Sequence, residues 1–175
     1  MIARQTFSAF QGDRLIASGA AREVAAVARA VSGEAPVFVF DNVTGALVDL
    51  DLLDAGGGGP VASRGRGRPK LGVVPREVTL LPRHWDWLAS QPGGASVVLR
   101  KLVEEASRDP RARARDAATA AYNFLHAIAG DWPGYEEALR ALFAHDRSRF
   151  ATLTAKWPAD IRTHALRLGF PEDGQ

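Results

Sequence analysis

The sequence predicts an α+β protein made of four successive parts: a small N-terminal ββαββ domain, a flexible basic linker, a strand-helix-helix segment and a C-terminal helical bundle. Three observations carry this. Strand-like apolar runs fall at Thr6–Phe10, Val37–Phe40 and Leu47–Leu52, in the first third of the chain. Apolar residues recur at helical spacing through the last third. Between the two, residues 55–75 are too rich in Gly and Arg to bury a core.

Each element has its own warrant. Thr6 to Phe10, a turn over residues 11–14 and Leu15-Ile16-Ala17 read as two paired strands. Val24, Val27, Ala28 and Val31 then share one helical face, and Gly33 follows as a stop. A second hairpin runs from Val37-Phe38-Val39-Phe40 through Asp41 to Gly45 into Leu47–Leu52, completing the domain at residues 1–54. Asp49 and Asp51 share the polar face of that last strand, the expected solvent side; a divalent cation site is the alternative. In the segment 76–107, Arg76–Leu80 reads as a strand and Pro82–Gln91 as a helix with Pro in its first turn. Pro92-Gly93-Gly94 breaks that helix, and Ser96 is the expected N-cap of the next, which carries Val98, Leu99, Leu102, Val103 and Ala106. In the bundle at 108–170, stripes run through Ala118, Ala121, Tyr122 and Leu125, then Ala138, Leu139, Leu142 and Phe143, with Asp131 the expected cap between them. Phe150, Leu153 and Trp157, then Ile161, Ala165 and Leu168, give two more helices.

Composition sets the function classes. The chain has 175 residues, 46% apolar and 24% charged, which excludes wholesale disorder. No apolar run approaches the ~18 residues of a membrane span, and the polar N-terminus lacks a signal-peptide core. With no cysteine, disulfides, thiolate zinc sites and a Cys nucleophile are excluded. These features make the cytoplasm the expected compartment. Net charge is only +2, yet residues 55–76 hold five basic and no acidic residues. A basic arm of this kind suits a polyanion.

That arm carries the sharpest motif. Arg64-Gly65-Arg66-Gly67-Arg68-Pro69-Lys70 resembles an AT-hook, whose core is matched by Arg66, Gly67, Arg68 and Pro69, with Arg64 and Lys70 outside it. An extended strand with Gly in place of a side chain can lie deep in an A·T-rich minor groove, both arginines along its electronegative floor. The competing reading is an inert linker, since 19 of the 22 basic residues are Arg and biased composition alone generates Arg-Gly tracts.

The segment from Val78 to Ala106 resembles the ribbon-helix-helix fold of small bacterial repressors. That resemblance implies two strands pairing across a dimer and lying in the major groove. Thr79 and Arg76 would then be DNA-facing, and Ser96, in a Gly-x-Ser turn at Gly94-Ala95-Ser96, would set a helix start on a phosphate. Val78, Leu80, Trp85, Leu88, Leu99 and Leu102 would form the dimer core. Trp87 lies about 200° from Trp85 around the helix and needs another surface, either the C-terminal helices or a second chain. Pro75 and Glu77 depart from the residues that family presents to bases.

The longer run from Gly67 to Trp85, with Gln91–Ser96, the Phe38–Leu52 hairpin and the junction at Ala129-Gly130-Asp131, is similar to the bacterial family called domain of unknown function 2239. This implies one shared architecture over nearly the whole chain. Enzyme signatures are lacking: His84, His126, His145 and His164 form no ligand pair, no Gly-x-Ser-x-Gly elbow occurs, and Glu104-Glu105 and Glu136-Glu137 read as solvated helix faces. The expected function is therefore that of a non-enzymatic DNA-binding homodimer, a transcriptional regulator or nucleoid-associated protein with a preference for A·T-rich duplex. It would need no cofactor, metal or membrane. The alternative is a protein-interaction or small-ligand-sensing module in which the strand-helix-helix segment only dimerises.

Overall fold

A computed structural model of the chain describes residues 5–31, 35–49 and 76–171. The described part is mixed α and β, with a four-stranded antiparallel sheet and seven helices. The chain divides into two compact units, one formed by Met1–Gly57 with Pro110–Gln175, the other by Gly58–Asp109.

In the first unit β1 (Phe7–Gln11), β2 (Arg14–Gly19), β3 (Val37–Asp41) and β4 (Leu47–Val48) form a sheet of order β2-β1-β3-β4. The central strands are apolar on both faces because both faces are covered. Phe7, Ala9 and Val39 point to helix α1 (Ala21–Ala30), which buries Val24, Ala25 and Ala28 against them. Phe10 and Phe40 point the other way, into the C-terminal helices. β4 is shorter than the expected Leu47–Leu52: Asp49 lies just beyond it and is exposed, while residues 50–52 lie outside the described residues.

The second core is shared between sheet and helices. The long helix α4 (Pro110–Ile128) buries Ala118, Ala121, Phe124 and Leu125, and α5 (Tyr135–Phe143) adds Ala138 and Leu142. Two further helices, α6 (Arg147–Leu153) and α7 (Ala159–Gly169), contribute Phe150, Ile161, Ala165 and Leu168. Phe124 lies 5.2 Å from Phe10 and 4.9 Å from Phe40 between ring centroids, so the aromatic centre joins residues more than eighty positions apart in the chain. The first and last blocks of the sequence therefore build one unit.

A glycine fixes part of that junction. Gly45, at φ +65° after β3, is buried, and a Cβ there would stand 1.8 Å from the Ala120 carbonyl oxygen on α4. Asn123 secures the same loop by donating to the Thr44 carbonyl at 3.0 Å. One cap differs from expectation: α5 starts at Tyr135 with Gly134 as N-cap, so Asp131 lies in the preceding turn and does not cap it.

In the second unit α2 (Pro82–Ser90) packs on α3 (Ala95–Arg108). Pro82 opens α2 at the position where its missing N–H costs nothing. Among the described residues no helix is long and apolar enough to cross a membrane.

Candidate nucleic-acid interface

The residues expected to meet nucleic acid divide into those the structure describes and those it does not. Arg64, Arg66, Gly67, Arg68, Pro69 and Lys70 lie outside the described residues, as do Pro75 and Asp51. Arg76, Thr79 and Ser96 lie in the second unit and are exposed.

Residues 76–81 form no strand within the single chain. The physical reason is that a β-strand requires a ladder partner, and among the described residues none pairs with this segment. Leu81 nevertheless keeps extended dihedrals, φ −67° and ψ 149°, as it enters α2, and its carbonyl accepts from His84 N–H at 2.8 Å.

Ser96 is not the N-cap. Helix α3 begins one residue before it, at Ala95, and the cap is Gly94, at φ 76° and ψ 168°. A left-handed φ is strained for any residue with a Cβ, so the second Gly of the Pro-Gly-Gly break takes the capping position and Ser96 falls inside the first turn. Its carbonyl accepts from Arg100 Nε at 3.0 Å. The Ser96 hydroxyl is therefore presented on the first turn of α3, beside the helix start.

The expected dimer residues are placed unevenly. Leu88 is buried within the chain; Leu80 and Leu99 are half-buried; Val78, Trp85 and Leu102 are exposed. No residue of α3 is buried, although Val98, Leu99, Leu102, Val103 and Ala106 make a continuous stripe at i, i+3 and i+4 spacing. Val103 is 65% exposed and Trp87 50%. Among the described residues neither Trp85 nor Trp87 belongs to a buried core. The helix thus presents an amphipathic face whose apolar side is only partly covered among the described residues, an arrangement that marks contact with something else.

Sequence reasoning missed a polar cluster in the first unit. Arg167 Nη2, on α7, lies 3.3 Å from Ser8 Oγ on β1, 3.3 Å from Asn42 Oδ1 in the β3–β4 turn, and 2.9 Å from His164 Nδ1. Ser8 also donates to Asn42 Oδ1 at 2.7 Å. Arg is always a donor, so His164 Nδ1 must accept and the imidazole proton sits on Nε2. His164 is 3% exposed and meets Phe10 and Phe124 edge-on. Its pKa is pushed down from 6.5 to about 3, first by burial and then by the Arg167 charge. The visible signal was the i, i+3 pair His164 and Arg167 on one helix face; its partners Ser8 and Asn42 come from a strand and a turn more than a hundred residues away and left no mark in the sequence.

Asp41 ends β3 as a structural carboxylate. Burial opposes its charge, but hydrogen bonds from the Gln5 side chain and from the Thr44 and Val43 N–H groups outweigh that, and its pKa lies below the ordinary value. Among the described residues no group of three or more His, Asp or Glu side chains is arranged to hold a metal ion.

The family model described as "Uncharacterized protein conserved in bacteria (DUF2239)" matches residues 6–169. No curated protein and no solved structure matches the chain.

Proposed function

We propose, from the premise that this chain belongs to the bacterial family DUF2239, that it is a DNA-binding homodimer acting in transcription regulation or nucleoid organisation. In this reading the Arg66-Gly67-Arg68-Pro69 core enters an A·T-rich minor groove while Arg64 and Lys70 sit on phosphates. The segment Arg76–Leu80 pairs with its counterpart in a second copy, which supplies a ladder partner. Thr79 then faces the major groove, Arg76 adds a basic contact at the start of the strand, and the Ser96 turn faces the backbone.

The observation that carries the reading is the partly covered apolar face of α2 and α3, with Val78, Trp85, Leu102 and Val103 exposed immediately after a run of five basic residues without an acid. A dimer core would bury that face, and the adjoining arms would emerge beside it. Glu77, which repels phosphate, favours the second reading, in which the same segment dimerises but binds no DNA.

Salt dependence of duplex binding tests the proposal. If Arg64, Arg66, Arg68 and Lys70 each neutralise one phosphate, log affinity falls against log salt with a slope of about −4 per chain, or roughly −7 for a dimer with both arms engaged. No binding to any duplex at low salt would leave the dimerisation reading and remove the DNA one.

A further inference from the structure

We propose that the groove between α6 and α7 is a binding site for a small amphiphilic anion, a phosphate or carboxylate carrying a short apolar chain. The groove has a volume of about 600 Å³ and lies wholly within the first unit, a size typical of small-molecule sites.

Its chemistry is one-sided. Arg147, Arg162 and Arg167 line it together with Thr163, and no acidic residue does so among the described residues. The helical repeat makes this arrangement. Arg162, Leu166 and Phe170 follow one another at i, i+4 spacing, as do Thr163 and Arg167, so one side of α7 carries two cations, a hydroxyl and an apolar ridge. Arg147 faces them from α6.

Arg167 makes the site more than a crowd of surface charges. Its guanidinium is held by Ser8, Asn42 and His164, all of them neutral acceptors. The His164 imidazole is neutral because burial and Arg167 itself oppose its protonation. Among the described residues no carboxylate pairs with it, so the cation is oriented by neutral partners, which is the condition for an anion site organised before its ligand arrives. Leu166 and Phe170 supply the apolar part; Phe170 is braced by Phe150 at 5.5 Å between ring centroids.

This site is independent of the DNA reading, and its test is kept separate. Calorimetric titration of the full chain would compare n-octyl phosphate, octanoate, n-octyltrimethylammonium and inorganic phosphate. The two anionic amphiphiles should bind, the cationic one should not, and inorganic phosphate should bind about 10-fold or more weakly for want of the apolar contact. Arg162→Gln removes a cation whose side chain makes no hydrogen bond among the described residues, so the melting temperature should be unchanged while octyl phosphate binding falls by about 10-fold. Thr163→Val should weaken binding less.

Failure of every probe to bind, equal binding of the cationic amphiphile, or full affinity in Arg162→Gln would each overturn the proposal. If duplex DNA displaces octyl phosphate and Arg162→Gln weakens duplex binding as much as Arg66→Ala does, the groove belongs to the nucleic-acid backbone and the small-anion assignment falls.

Discussion

Replacing His164 with Gln should flatten the pH dependence of stability between pH 8 and pH 5, and the structure sets the size of the effect. His164 has its pKa lowered to about 3 in the folded chain, against 6.5 in a solvated one. Between those values the unfolded state binds a proton that the native state refuses. The folded form is thus fully favoured above pH 6.5, and its advantage is lost as pH falls from 6.5 toward 3. Each pH unit in that window costs about 1.4 kcal/mol, so from pH 8 to pH 5 the wild-type chain should lose about 2 kcal/mol on account of this one group. Against a total stability of roughly 5–15 kcal/mol that is a readily measured fraction. Gln at this position keeps an oxygen to accept from Arg167 but has nothing to titrate. Asp41 and Asp146, whose pKa values are lowered from 3.8, lose their contribution only at more acid pH and stay outside the window. Urea unfolding followed by far-UV circular dichroism at fixed protein concentration would read the difference, since any self-association would otherwise shift the midpoint. Parallel pH dependences in wild type and variant would refute both the buried neutral imidazole and the charge of Arg167 acting on it.

The remaining predictions address the other links. Gly45→Ala forces a Cβ to within 1.8 Å of the Ala120 carbonyl oxygen at a left-handed φ, so it should destabilise the first unit by several kcal/mol, measured as a lowered urea midpoint. If residues 76–81 and the α3 stripe form the proposed interface, light scattering at micromolar concentration should give about twice the 18.8 kDa chain mass, and Leu102→Asp, which alters a side chain 43% exposed in the single chain, should restore the monomer without unfolding it. Arg66→Ala combined with Arg68→Ala should abolish preference for A·T-rich duplex in a competition assay while leaving the fold intact. Arg68→Lys should lose most of that preference, because the ammonium is more strongly hydrated; equal binding by the Lys variant would mean that the arm acts as a point charge on phosphates.

How far the sequence reaches can be followed residue by residue. Local rules placed the helical stripe through Ala118, Ala121, Tyr122 and Leu125, the helix after Pro82 and the break at Pro92-Gly93-Gly94, because each rests on periodicity or on the dihedral demands of Gly and Pro within a few residues. The Arg-Gly arm was legible for the same reason: charge and composition are local properties. The cap fell to Gly94, two residues before the expected Ser96, since a left-handed φ available to Gly outweighed the hydroxyl.

Tertiary structure alone decided what covers what. The apolar residues of β1 and β3 are compatible with an independent sheet, but the Phe10, Phe40 and Phe124 contacts and the close approach of Gly45 to Ala120 bring residues 7–48 and 110–169 into one core. The Arg167 cluster is of the same kind, since Ser8, Asn42 and His164 are chosen by proximity in space and by the need of a cation to be held. The stripe on α3 shows the converse: its spacing declared an apolar face, and only the folded chain reveals that, among the described residues, no residue of that helix is buried. Periodicity fixes which residues share a face, whereas the partner of that face depends on long-range packing that no local pattern encodes.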